Sequence, residues 1–255
     1  KILSTDVPGV RGINFKPDGS IMYITNRVAN QDAYIVQYSL STPFDISTAT
    51  RTFVDGAGTK LTCSTAMKLP HAIEFKPDGT RMFITTNKDH GSGKPGVAVY
   101  QFKLTTAWDT STLDCEKIFE VDITGNADED QVRTITFKPD GTRMFVGGKT
   151  QDKIREYILT TPFDLRSGVS VGSLSASLAS SSDTSMRNIQ LHSDGTILYV
   201  AGDDNNNMHK YTLSTPWDIT TISSTSTEYD LGGRVSDMRG FIFTANFTKL
   251  FVTND

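Results

Sequence analysis

A ten-residue hairpin sequence recurs five times in this chain, and this recurrence constrains the fold more than any other feature. Its clearest copy is Phe75-Lys-Pro-Asp-Gly-Thr-Arg-Met-Phe-Ile84. Proline sets φ for a type I turn, aspartate tolerates the next position, and glycine takes the left-handed conformation. Each copy therefore predicts two antiparallel strands joined by a tight turn. The copies begin at residues 15, 75, 137, 191 and 243.

The spacing of the copies, between 52 and 62 residues, indicates a repeat architecture. Two further strand sequences follow each of the first four hairpins, and no segment shows a convincing helical period. Four strands per repeat predict an all-β propeller of about five blades, each with four antiparallel strands. The last blade is expected to be incomplete or closed by the N-terminal strand. The alternative, an antiparallel β-sandwich, does not explain five registered copies of one hairpin.

We expect residues 1–255 to form a single propeller domain. The last repeat lacks the sequence of a third strand, which would leave an open sheet edge. The chain is therefore expected to belong to a longer protein, to a homo-oligomer, or to a larger assembly that supplies a strand. The predicted units cover about 11–56, 71–123, 133–178, 187–231, and 239–255 together with 1–5.

Two motifs carry a resemblance to known propellers. The Pro-Asp-Gly turn, followed by an aromatic-aliphatic pair, resembles the blades of the lactonase-like and TolB-like propeller superfamily. A second recurring motif, Leu-Ser-Thr-Pro-Phe/Trp-Asp, is similar to repeats of secreted, surface or phage-associated propellers. Ser41–Asp45 and Ser214–Asp218 are two of its copies. The resemblance implies the architecture and leaves the activity open, because propellers host many functions. The metal-binding acids of the lactonase-like family are not recognisable in this sequence.

The net charge and the cysteine content restrict the classes of partner and the location that we expect for the protein. A net charge of −4 and a pI near 5.6 argue against nucleic acid or an anionic membrane. No run approaches the roughly 18 apolar residues that span a bilayer. The two cysteines, Cys63 and Cys115, belong to no zinc motif, and either one disulfide or two thiols would fit them. We expect an extracellular or surface-exposed protein.

A column of basic residues lies four residues before the start of each hairpin copy. The first strand of a propeller blade is the innermost one, so these side chains are expected to ring one mouth of the central channel. Guanidinium groups in such a funnel would bind a carboxylate, phosphate or sulfate. Alternatively, each arginine pairs with the next blade and locks the two together. The column consists of Arg11, His71, Arg133, Arg187 and Arg239.

A column of aromatic residues follows the third strand of each of the first four repeats. In equivalent pockets, four rings could stack on sugars, as in propeller lectins. Alternatively, each ring plugs the edge of its blade, and the aspartate that follows it caps a turn. The four residues are Phe44, Trp108, Phe163 and Trp217.

Acidic loops provide the weak candidates for a metal site. Oxygen-rich loops bind Ca²⁺, but neither acidic segment has the regular spacing of a calcium loop, which favours solvated loops without a cofactor. The histidines share no motif and no Gly-x-Ser-x-Gly elbow is present, so no catalytic residue is predicted. The acidic candidates are Asp128, Asp130, Asp203 and Asp204.

Together these features favour a non-enzymatic binding or assembly propeller that presents its loops, around a channel mouth ringed by arginine and histidine, to a protein or glycan partner. A lactonase- or lyase-like enzyme and a carbohydrate-binding lectin are the two alternatives.

Overall fold

The fold was described from a computed structural model of the chain. The described part of the chain consists of β-strands, tight turns and three single-turn 3₁₀ helices, Ile46–Thr48, Thr110–Thr112 and Ile219–Thr221. The structure describes residues 9–26, 34–52, 58–63, 65–66, 69–86, 98–121, 131–149, 152–166, 168–178, 185–202, 205–231, 233 and 235–254.

Four sheets have four strands in sequential antiparallel order, which is the arrangement of propeller blades. The first blade contains β1 (Val10–Phe15), β2 (Ile21–Asn26), β3 (Tyr34–Leu40) and β4 (Ala49–Arg51), and β5 (Thr59–Lys60) also pairs with β3. A small hairpin, β6 (Thr62–Cys63) and β7 (Thr65–Ala66), follows it. The second blade contains β8 (Pro70–Phe75), β9 (Arg81–Thr86), β10 (Ala98–Leu104) and β11 (Leu113–Glu120). The third contains β12 (Val132–Phe137), β13 (Arg143–Gly148), β14 (Ile154–Leu159) and β15 (Val169–Leu174). The fourth contains β16 (Met186–Leu191), β17 (Ile197–Gly202), β18 (Met208–Thr212) and β19 (Thr227–Tyr229).

The fifth unit differs from the other four. In the described part of the chain it is a two-stranded sheet of β20 (Met238–Phe243) and β21 (Leu250–Asn254). The expectation of about five blades is therefore wrong in number, because the described residues form four blades and no four-stranded fifth. The two-stranded sheet lies between the fourth and first blades, since β20 contacts both β16 and β1. Residues 1–5, which were expected to complete this unit, lie outside the described residues.

The hairpin turns agree with the sequence prediction. In the first copy the Gly19 amide donates to the Lys16 carbonyl at 2.8 Å, and Asp18 accepts from the amide and hydroxyl of Ser20 at 2.9 and 2.6 Å. The four turn glycines have φ between 72° and 76°, which confirms the predicted left-handed conformation. They are Gly19, Gly79, Gly141 and Gly195.

The inner strands bury their apolar side chains between blades. Phe137, 9% exposed, lies 4.6 Å from the ring of Phe83 in the preceding blade and 5.2 Å from Phe163 in its own. Strand parity predicts that the first residue of each hairpin copy and the residue two positions before it share the buried side of the inner strand. Eight of these ten side chains are buried, while Ile13 and Phe243 are half-buried. Phe243 belongs to the two-stranded unit, and Ile13 lies in β1, which contacts this unit.

Threonine hydroxyls connect neighbouring inner strands. Thr25 Oγ1 accepts from the Gly12 amide and donates to the His71 carbonyl, both at 2.8 Å, so it joins the first two blades. Thr253 Oγ1 donates to the Arg11 carbonyl at 2.6 Å, which joins the two-stranded unit to the first blade. The inner strands thus form a closed ring in the order β1, β8, β12, β16 and β20.

Two further observations bear on the setting of the protein. Cys115 in β11 is disulfide-bonded, and the sequence contains one other cysteine, Cys63. Among the residues that the structure describes, no helix has the length and apolar character needed to cross a membrane.

Candidate functional site: the central channel

A cavity of about 240 Å³ lies on the axis of the ring of inner strands. All five inner strands contribute to its wall, which includes Arg133, Arg187 and Arg239. Among the described lining residues these three are the only cations, and Glu74 is the only carboxylate. The channel therefore has a surplus of positive charge, although the whole chain carries a net charge of −4.

The basic column occupies the same register position on all five inner strands. Each member is the second residue of its strand, and the strands contact one another in a ring. The structure therefore brings all five residues to the same end of the channel. Four are buried, and the side chain of Arg239 is 15% exposed. The buried residues are Arg11, His71, Arg133 and Arg187.

Contacts within their own units orient three of these guanidinium groups. Arg11 Nη1 donates to the Val10 carbonyl at 2.8 Å, and Arg133 Nη2 donates to Gln131 Oε1. Arg239 Nη2 forms an ion pair with Asp237. Arg133 Nε is buried and makes no hydrogen bond within the described residues. A buried N–H that makes no hydrogen bond costs free energy.

Ion pairs that connect blades are found farther from the axis. Arg81 in β9 bonds through Nε to Glu116 at 2.9 Å and through Nη2 to Asp164 of the third blade at 3.2 Å. Arg166 also contacts both carboxylates, at 3.1 and 2.6 Å. Its hydrogen bonds hold the pKa of Asp164 well below its usual range. At this blade junction, locking is therefore performed by side chains outside the basic column.

A second column faces the channel three residues deeper along the inner strands. We call it the channel waist. Unlike the basic column it does not repeat, since each of its five members is a different residue type. Within the described residues, neither Thr136 Oγ1 nor Gln190 Nε2 makes a hydrogen bond, although Gln190 Oε1 accepts from the Phe243 amide at 2.8 Å. The waist consists of Asn14, Glu74, Thr136, Gln190 and Ile242.

Glu74 has an unusual environment within the waist. Burial in the channel wall raises its pKa to about 7, against the opposing effect of a hydrogen bond from the Phe75 amide at 3.2 Å. A side-chain hydrogen bond with Asn14 also favours the charged form, but less strongly than burial opposes it. Glu74 is therefore about half protonated near neutral pH.

The aromatic column lies against the hairpin turns. The Trp108 amide donates to the Gly79 carbonyl at 3.0 Å, and a Cβ added to Gly79 would lie 2.3 Å from the indole ring. In each of the other three members, the backbone amide likewise donates a hydrogen bond to the carbonyl of the hairpin glycine. A Cβ added to that glycine would likewise collide with the aromatic ring. Asp109, which follows Trp108, accepts from the Ser111 amide at 2.9 Å and caps the 3₁₀ helix. One side of each ring is thus occupied by its own blade. The column contains Phe44, Trp108, Phe163 and Trp217.

The acidic candidates for a metal site cannot be placed. All four lie outside the described residues. Among the residues that the structure does describe, no three or more histidine, cysteine, aspartate or glutamate side chains come together. The four candidates are Asp128, Asp130, Asp203 and Asp204.

Comparisons with known proteins identify similar folds. No protein-family model matches the chain, and a search of the curated proteins finds no match. A functionally unknown protein from Desulfotomaculum acetoxidans DSM 771 has a similar structure, with a TM-score of 0.55 and 12% identity over 96% of this chain. Candidate 6-phosphogluconolactonases from Bacteroides fragilis NCTC 9343 and Bacteroides uniformis ATCC 8492 give TM-scores of 0.55 and 0.54, each at 13% identity, over 96% and 95% of this chain.

These similarities establish the propeller fold. At 12–13% identity they carry no activity over to this chain. The chain spans 63% of the Desulfotomaculum protein and 76% and 77% of the two Bacteroides proteins.

The channel waist is the part of the site that the repeat analysis missed. A column whose residue type differs from blade to blade does not stand out in a comparison of the repeats. Strand parity could have found it, because a residue next to the buried Phe75 must point to the opposite side of the strand. Since β8 is innermost, that side faces the channel.

Proposed function

We propose that this protein is a binding propeller whose basic channel mouth takes an anionic group, a carboxylate, phosphate or sulfate, of a ligand or a protein or glycan partner. The supporting observation is the charge of the channel. Arg133, Arg187 and Arg239 line a cavity whose single carboxylate among the described residues, Glu74, is half neutral at pH 7. Guanidinium groups in a partly desolvated wall bind oxyanions through directed, charge-assisted hydrogen bonds.

We place this function outside the cell or on the surface of a particle. The disulfide of Cys115 supports this location, because disulfides persist mainly in oxidising compartments. The rigid ring of blades would hold the binding groups in position, so a ligand would lose little free energy to reordering of the site.

Isothermal titration calorimetry tests the anion site directly. Sulfate, citrate and gluconate are titrated into the wild-type protein and into the variants Arg187→Gln and Lys117→Gln. Lys117 is an exposed residue of β11, so its variant removes the same charge away from the channel. We expect Arg187→Gln to weaken anion binding about tenfold or more, which corresponds to the loss of a charge-assisted hydrogen bond of roughly 1.5–3 kcal/mol.

A conservative variant guards against misfolding. Arg187→Lys retains the charge but loses the planar fork of donors, so we expect affinity between that of the wild type and that of Arg187→Gln. Unchanged melting temperatures would show that the variants are folded. Equal affinities in all four proteins, or no anion binding by the wild type, would contradict the proposal.

The lactonase-like alternative has no better support than binding, since the fold neighbours that suggest it share only 13% identity with this chain. The lectin alternative stays a prediction. Each ring of the aromatic column has one side against a hairpin glycine, so a sugar could stack only on the opposite side of the ring.

A further inference from the structure

We infer that Glu74 makes the channel selective for ligands with a single anionic group: it admits an anion whose far end carries a hydroxyl and rejects one whose far end carries a second carboxylate. The inference rests on the proposed function, because the first anionic group is taken to be anchored by the basic column at the mouth. It adds the chemical class of the ligand and the residue that determines that class.

The argument begins with size. A cavity of about 240 Å³ is smaller than the roughly 300–1,000 Å³ of pockets for drug-sized ligands. It suits a small organic acid that enters end-on from the basic mouth. Three residues of strand separate the basic column from the waist, and a register shift overlaps this stretch in every inner strand, so the distance is at most about 10 Å. A linear acid of five or six carbons would reach from one to the other.

The waist offers hydrogen bonds to an uncharged group. Gln190 Nε2 is a donor, and the hydroxyl of Thr136 is both a donor and an acceptor. Both groups line the cavity, and neither makes a hydrogen bond within the described residues. They lie on the neighbouring strands β12 and β16, so one hydroxyl or carbonyl group of a ligand would meet them together. Ile242 and Gly240 make the wall of the two-stranded unit less polar.

The charges around Glu74 explain the rejection of a second carboxylate. The cations of the cavity, Arg133, Arg187 and Arg239, are at the mouth and not at the waist. The other members of the waist are uncharged, so no waist cation offsets Glu74. A ligand carboxylate placed at this depth would face the charged Glu74, and like charges repel each other.

The same geometry predicts a dependence on pH. Its burial brings the pKa of Glu74 to about 7, so the group is mostly neutral below this pH and mostly charged above it. A protonated Glu74 is a hydrogen-bond donor and would tolerate a second carboxylate. Selectivity is therefore expected to be strong at about pH 8 and weak at about pH 6.5.

Two linear acids of equal chain length test the inference. 6-Hydroxyhexanoate and adipate differ only in the far end, which is a hydroxyl in one and a carboxylate in the other. Calorimetry measures both ligands with the wild type, Glu74→Gln and Glu120→Gln. Glu120, exposed on β11, provides the matched control away from the channel.

We expect the wild type to prefer the hydroxy acid by up to about tenfold at pH 8, because a group with a pKa of about 7 can be protonated at this pH at a cost of about tenfold in affinity. Glu74→Gln should reduce the preference to within about threefold by binding adipate more tightly, while Glu120→Gln should behave as the wild type. Gln190→Glu is a second variant that adds a carboxylate to the waist, and it should increase the preference.

The outcomes separate the two proposals. If both acids bind but Glu74→Gln leaves the preference unchanged, or the wild type shows none, the selectivity is refuted and the anion site stands. If neither acid nor any of the anions sulfate, citrate and gluconate binds the wild type, both proposals are wrong. A preference that is lost in Glu74→Gln and retained in Glu120→Gln supports both.

Discussion

The contact between Trp108 and the Gly79 turn makes a quantitative prediction about stability. Gly79 has φ of +73°, and an added Cβ would meet the indole ring at 2.3 Å. Gly79→Ala should therefore incur two separate costs. The left-handed backbone costs an alanine about 1–2 kcal/mol. Displacement of a half-buried indole forfeits about half of the 3–5 kcal/mol of a full Trp→Ala truncation, or about 2 kcal/mol. The total is about 3–4 kcal/mol.

Gly233 supplies a matched control for the backbone cost. Its φ of +65° is nearly the same, but an added Cβ would meet none of the described residues within 4 Å. Gly233→Ala should therefore cost only about 1–2 kcal/mol. The difference between the two variants isolates the ring contact. Urea unfolding at constant m-value measures both free energies of unfolding.

A double-mutant cycle completes the test. In a Trp108→Ala background no indole is left to displace, so Gly79→Ala should cost only the backbone strain. The coupling free energy between the two positions is expected to be about 2 kcal/mol. If Gly79→Ala costs no more than Gly233→Ala, or if the two substitutions are additive within about 0.5 kcal/mol, the aromatic ring does not support the turn and the reasoning is wrong.

Three other predictions concern stability. Phe137→Ala should cost about 3–5 kcal/mol in urea unfolding because the ring fills the space between two blades, whereas Val171→Ala, at a side chain 61% exposed, should change stability by less than about 0.5 kcal/mol; equal costs would contradict the packing. Cys115→Ser, or reduction of the wild type, should lower stability by up to about 4 kcal/mol, the upper end of the typical contribution of a disulfide, and the same reductant should leave the variant unaffected. The raised pKa of Glu74 should make wild-type stability decline as the pH rises from about 4.5 through about 7, because the folded state holds a proton that the unfolded state releases. Glu74→Gln should lack this decline. If the stabilities of the two proteins have parallel pH profiles, the pKa of Glu74 is not raised.

The sequence was sufficient to predict what each repeat does by itself. Pro-Asp-Gly determines the turn locally, so the positive φ of Gly19 and its equivalents could be predicted without tertiary information. Strand parity likewise predicted most of the buried inner-strand residues, such as Ile73 and Phe75. Both predictions depend on interactions over a few residues, and these are the interactions that a sequence pattern records.

The sequence was not sufficient to predict contacts between segments that are distant along the chain. The aromatic column was visible as a recurrence, but only the structure shows that Trp108 lies on Gly79 of the hairpin that precedes it by one strand. The number of blades is four in the described residues, and not about five. The hairpin at Phe243 indicates a fifth unit, but the sequence that follows it lacks a third strand, and the described part of this unit is a two-stranded sheet.

Repeating and non-repeating positions around the inner strands have different physical explanations. Every blade junction needs hydrogen bonds between inner strands, so residues that satisfy this need can recur, as Thr25 and Thr253 do. The side chains of the channel waist need not form hydrogen bonds between blades, because they face the cavity and not the next blade. Variation there is free to follow the shape and charge of whatever enters the channel. The residue type varies from unit to unit in the waist but recurs in the basic column. The waist is therefore a better candidate for determining ligand specificity than the basic column.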